Sequence, residues 1–293
     1  MIHLAQFPAP VRILAFLLLL LLLWLPFVGL AYWLLEDPNT ISLMVMPILF
    51  SEFIVLLQVW GQRVYHHLHP LQHYGLTRTR QNGLELLQGL SMGLISLLSL
   101  FLSQSWLGWL SWQPLHPRIL QFVLEGLIIA LGFGLGEELI FRGWLLDELQ
   151  RDYQFTIALW LDSLIFACLH FIRPLDEILQ TSPQFFGLFV LGLILVWAKR
   201  GSGDRLGLPM GLHAGFVWGF YMINVGQLVN YTNRVPAWVT GINQNPLAGI
   251  MGLLFLSALA IWMRRRSRQK STLKTVPTVH NNDQSPDSPT TNR

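Results

Sequence analysis

The chain has 293 residues, 53% of them hydrophobic and only 12% charged, against roughly 25% charged in an ordinary soluble domain. That deficit, together with long apolar runs, excludes an ordinary soluble domain and indicates a polytopic membrane protein. The formal net charge of +3 is small, and the single cysteine, Cys168, excludes an internal disulfide framework.

Eight apolar stretches are candidate spans: residues 12–35, 41–60, 84–110, 118–149, 155–172, 185–198, 206–229 and 246–263. The first is longer than a signal-peptide core and is read as a retained span. Breakers such as Asp37-Pro38, His69-Pro70, His116-Pro117 and Asn245-Pro246 separate the stretches. With the N-terminus placed in the cytoplasm, the inner segments hold fifteen Lys and Arg residues and the outer loops three, Arg142 set aside. Eight spans with both termini cytoplasmic satisfy the positive-inside rule. The expected fold is therefore all-α, about eight transmembrane helices around a polar intramembrane cavity. Residues 1–117 form N-terminal spans with a cytoplasmic loop, 118–229 a helical core, and 230–263 the last outer loop and final span. Residues 264–293 form a basic, then polar, disordered tail. The basic run at Arg264–Arg268 reads as an anchor to anionic lipid rather than a nucleic-acid site.

The fourth stretch carries Gly136-Glu137-Glu138-Leu139-Ile140-Phe141-Arg142-Gly143. A charged side chain at the centre of a spanning helix costs roughly +2.5 to +3.5 kcal/mol on insertion scales, so such a cluster must face protein or a wet cavity. Glu138 and Arg142 stand at i and i+4 in the favourable order for an ion pair. Glu137 is turned about 100° from Glu138. One carboxylate can be held while its neighbour works, although a buried structural ion pair with a spare glutamate uses the same residues.

The fifth stretch supplies Phe166-Ala167-Cys168-Leu169-His170, with Asp162 two turns earlier. The seventh supplies Gly211-Leu212-His213-Ala214-Gly215, small residues that let helices approach closely. Each histidine alone reads as an interior residue, and Asp162 as an acceptor between helices. A glutamate and two histidines on three apolar helices point together to a site. By residue count Glu137 and His170 share a depth, whereas His213 lies only about 10 Å from the start of its own stretch. The expectation is that the 199–205 connection sits deep and lines a wet cavity. The group His66, His67, His69 and His73 reads as an interfacial loop in preference to a metal site. Glu52 and Glu125 receive no role.

In order, Glu137-Glu138-x-x-x-Arg142, Phe166-x-x-x-His170 and His213 resemble the three motifs of the CPBP family. That family comprises CAAX prenyl proteases and bacteriocin-processing proteins, also called Abi or Ras-converting-endopeptidase-like. The resemblance covers about residues 118–229 and includes Phe141-Arg142-Gly143. One position departs: the third motif usually ends in Asn or a similar polar residue, and here that position is Val217. Asn224 is too far along the same helix to replace it.

The resemblance implies an intramembrane endopeptidase acting on a membrane-associated protein or peptide. Glu137 would be the general base on water, His170 would position that water, and His213 would stabilise the oxyanion. Glu138, Arg142 and Phe166 would support them. Water is expected to enter from the cytoplasmic side, where the basic loops lie. No cofactor is favoured. A zinc reading uses Glu137, His170 and His213 as ligands, but the H-E-x-x-H signature is lacking. A non-catalytic membrane scaffold or immunity protein retaining the fold is the alternative, and Val217 speaks for it.

Overall fold

A computed structural model describes residues 2–275. Eight helices of fifteen residues or more lie on the eight apolar stretches: α1 (Ala9–Leu34), α2 (Pro38–Arg63), α3 (Arg80–Trp106), α4 (Ile119–Asp152), α5 (Phe155–Leu169), α6 (Gln184–Gly201), α7 (Gly207–Val225) and α8 (Ile250–Thr275). By length and composition five of them, α1 to α4 and α6, can cross a membrane. The fold is an all-α polytopic membrane fold with one small sheet. In that sheet β1 (Leu110–Trp112) pairs antiparallel with β2 (Val229–Tyr231), Leu110 opposite Tyr231. α8 runs past the expected end of the last span to Thr275, and residues 276–293, where most of the polar tail was expected, lie outside the described residues.

Local chemistry starts the helices where the breakers stand. Asp37 caps α2 by accepting from the Thr40 N–H, with Pro38 at the first helical position. Thr79 caps α3 by accepting from Asn82. α1 is apolar on every side and most of its leucines remain exposed, as suits a helix whose solvent is lipid.

α7 is the central helix, packed against α3, α4 and α6. Its contact with α3 is backbone on backbone. A Cβ on Gly211 would fall 1.9 Å from the Leu86 carbonyl oxygen, and one on Gly93 would fall 2.4 Å from that of Leu212. Only glycine allows this approach, and the tightness fixes the depth of His213 on α7. On the other side of the bundle Gly192 of α6 lies against Ser163 of α5.

Side-chain contacts define two ends. At the basic end Arg12 pairs with Glu148 and Asp152, Arg205 with Glu85, and His73 with Asp147. Trp60 and Tyr65 also donate to Glu148, and burial, followed by this hydrogen bond, pushes the Tyr65 phenol above its ordinary range. At the other end lie the small sheet, the Gln104 amide donating to the Thr240 carbonyl, and Asn243 donating to that of Gln180.

Candidate active site

α4 changes its winding directly after the paired glutamates: Leu139–Leu145 form a π-helical turn, closed by the Leu146 N–H donating to the Phe141 carbonyl. Such turns are rare and recur at functional sites. The two carboxylates separate as their angular offset predicted. Glu138 is fully buried, whereas the Glu137 side chain is 25% exposed.

Glu138 anchors a buried ionic network. Its Oε1 accepts from Arg142 at 3.1 Å and from His213 Nδ1 at 2.8 Å. Arg142 also donates to the Gly192 carbonyl at 3.2 Å, and its Nε lies 3.5 Å from Asp162 Oδ2. The guanidinium stacks on the Phe166 ring, 4.3 Å from the centroid. Lys199, also buried, donates to the Arg142 carbonyl. Glu138 and Asp162 thus share the Arg142 guanidinium, and the Lys199 ammonium sits on the Arg142 carbonyl. Asp162 was expected as a hydrogen-bond acceptor between helices, but neither of its oxygens has a hydrogen-bond partner, and it meets Arg142 only as an ion pair. Nor does Lys199 fill its expected role. It counted among the cytoplasmic loop cations, but α6 carries it inward beneath the π turn.

The three predicted catalytic side chains converge. Glu137 Oε2 is 3.8 Å from His170 Nε2 and 3.9 Å from His213 Nε2. This oxygen is shielded and has no hydrogen-bond partner. The orientation of both rings is fixed from behind. His170 caps α5, and its Nδ1 donates to the Phe166 carbonyl at 2.7 Å. His213 Nδ1 donates to Glu138. Each Nε2 therefore faces Glu137, presenting a lone pair there when the ring is neutral and an N–H when it is protonated. The Phe166 ring packs edge-on against both, with centroids 4.6 and 6.1 Å away.

As a metal set the three residues have the right chemistry and the wrong spacing. Donors about 2.0–2.1 Å from a tetrahedral zinc stand about 3.3 Å apart. Among the described residues no group of three or more His, Cys, Asp or Glu side chains is placed to hold a metal ion. His67 and His73 stack at 3.8 Å beside Arg151 and Asp147 at the basic end, remote from Glu137 along α4.

Glu137, His170 and His213 lie on the wall of a cavity of about 330 Å³, with Phe133, Leu188 and Phe216 among its apolar walls and Arg173, Gln184 and Asn245 among its polar ones. Val217, the departing position, also lines it. Two expectations are corrected here. No residue of the 199–205 connection lines this cavity. That connection lies at the basic end, where Ser202 is fully buried and the Leu206 N–H that follows it donates to the Gly75 carbonyl. Nor does the cavity extend towards the basic end. It follows α6 from Leu191 back to Gln184 and α7 from His213 on to Phe220, which is the direction of the small sheet.

No curated protein matches the chain, and no solved structure matches it. Residues 119–219 match the family model described as type II CAAX prenyl endopeptidase Rce1-like, a segment that contains Glu137, His170 and His213. That segment is similar to the Rce1-like family, in agreement with the CPBP motifs read from the sequence.

Proposed function

We propose that the protein is an intramembrane endopeptidase in which Glu137 activates a water for attack on a peptide carbonyl. One observation carries this reading: an unpartnered carboxylate oxygen facing two oriented imidazoles at 3.8 and 3.9 Å on a cavity wall. Those gaps are too long for direct hydrogen bonds and suit one bridging water.

The roles follow from the protons. A water between the three donates one O–H to Glu137 and the other to the lone pair of His170 Nε2. Glu137 takes a proton as the water oxygen bonds to the carbonyl carbon, and the carbonyl π electrons move onto oxygen. His213 can donate to that oxyanion from Nε2 only with both ring nitrogens protonated, and Glu138 is then its counter-ion. As the C–N bond breaks, the protonated Glu137 gives its proton to the leaving amine. The products are a carboxylic acid and an amine, and the enzyme returns to its starting charge. The apolar walls exclude bulk water, which strengthens each of these interactions.

Val217 favours a second reading, a binding scaffold without turnover, because it places a methyl-bearing wall where the family pattern has a polar group. The test is cleavage of a membrane-peptide library by purified wild type and by Glu137→Gln, each with and without a strong chelator. Loss of cleavage in Glu137→Gln with retention in chelator supports the water-activating glutamate. Loss in chelator as well transfers the role to a metal held by the same residues. Equal cleavage by wild type and variant refutes the assignment of Glu137.

A further inference from the structure

We propose that the cavity opens on the non-cytoplasmic face, so that the peptide bond reaching Glu137 is presented from the outer side of the membrane. The substrate part of this statement rests on the hydrolytic reading; the direction rests on three independent observations.

The first is the course of the cavity. From Leu191 to Gln184 on α6, and from His213 to Phe220 on α7, its lining spans seven residues, about 10 Å along each helix. Both segments lead to the end that carries the small sheet and the Asn243–Gln180 contact.

The second is what closes the opposite direction. Between Glu137 and the basic end lie Leu139, Trp144, Leu145, Leu206, Leu208 and Leu212, each at most 3% exposed. Together with the buried network of Glu138, Arg142, Asp162 and Lys199 they fill this side, and none of them lines the cavity.

The third is charge. With the buried Lys199 set aside, thirteen Lys and Arg residues among the described residues belong to the segments of the closed end. The open end has Arg118, Arg173 and Arg234, together with Glu36, Asp37, Asp176 and Glu177. The positive-inside rule places the closed end in the cytoplasm. A cytoplasmic tail therefore meets the plugged end of the bundle. The substrate class that fits is a membrane-anchored peptide whose cleaved stretch emerges on the outer side. Apolar residues flanking its scissile bond would fill the wall formed by Phe133, Leu188, Phe216 and Phe255.

Thiol accessibility in cells expressing the full chain tests the direction without requiring turnover. Cys168, the one native cysteine and an exposed one, is first replaced by Ala. Single cysteines are then placed at the cavity mouth (Arg173→Cys, with Gln184→Cys in reserve should it fail to express), on the cavity wall (Val217→Cys) and at the basic end (Arg78→Cys). A small membrane-impermeant thiol reagent is expected to label the mouth and wall positions on intact cells, and the Arg78 position only after permeabilisation. Labelling of Arg78→Cys on intact cells overturns the orientation. Reaction of Val217→Cys only from the side of Arg78→Cys, or from neither side, overturns the open end. Because labelling needs no catalysis, failure of the direction is distinguishable from failure of the hydrolytic reading, which Glu137→Gln tests.

Discussion

Replacing Glu138 by Gln isolates the part of the site that acts through charge. In the wild type Oε1 receives both His213 and Arg142, while Oε2 is buried with no hydrogen-bond partner. The amide keeps its oxygen where both donors reach it and puts its NH₂ in the place of Oε2, so shape is preserved. Lost is one of the two carboxylate charges that meet Arg142, leaving Asp162 alone opposite it. A hydrogen bond to a charged acceptor contributes roughly 1.5–3 kcal/mol, and one to a neutral acceptor roughly 0.5–1.5 kcal/mol. The His213 contact is thus weakened by about 1–1.5 kcal/mol, and about 1.4 kcal/mol is a factor of ten in rate. The extra cost of placing a second proton on His213 without its counter-ion adds to this. The expected fall in kcat is about 10- to 100-fold, with KM little changed because Glu138 does not line the cavity. The assay is peptide hydrolysis at a temperature where melting curves show the variant folded. A folded Glu138→Gln with wild-type kcat would refute the role of Glu138 as the counter-ion of His213.

Arg142→Met leaves Glu138 and Asp162 buried without their shared cation and should destabilise the fold by about 3–5 kcal/mol, read as a lower melting temperature in detergent. Gly211→Ala drives a methyl into the Leu86 carbonyl and should cost about 1–3 kcal/mol by overpacking. Gly83→Ala, on the same α3 that Gly211 meets but with open space around it, should gain about 0.5–1 kcal/mol in the same melts. Val217→Asn adds a donor one turn from His213 on the cavity wall and should raise kcat by about tenfold or more if it reaches the oxyanion. Unchanged or reduced kcat would show that this position faces the substrate side chain.

Glu137, Glu138 and Arg142 were legible because their offsets along one helix are local geometry. A charged cluster in an apolar helix also has few acceptable environments. His170 and His213 were legible only as members of a set. Neither its residue type nor its neighbours distinguish either from an interior histidine, and what brings them to Glu137 is that α5 ends, and α7 passes, at its level. Lys199 was misplaced because a lysine after an apolar run is indistinguishable in sequence from a loop cation. Its burial follows from the packing of α6 under the π turn, which nothing in the local sequence announces. The 199–205 connection is expected on the wall of a wet cavity and lies off it, since helix length does not report what covers a loop.

Sequence by itself determined the helical membrane class, the breakers between the apolar stretches, most of the partition of charge between the two ends and the identity of the carboxylate pair. Each of these is a property of composition or of neighbours within one turn. Tertiary structure alone decided which oxygen of the pair remains unpartnered, how both imidazoles are turned towards it, and which end of the bundle the cavity reaches. Those depend on backbone approach at Gly93 and Gly211 and on which side chains fill the space between helices. Such contacts join residues far apart in the chain, and no local periodicity encodes them.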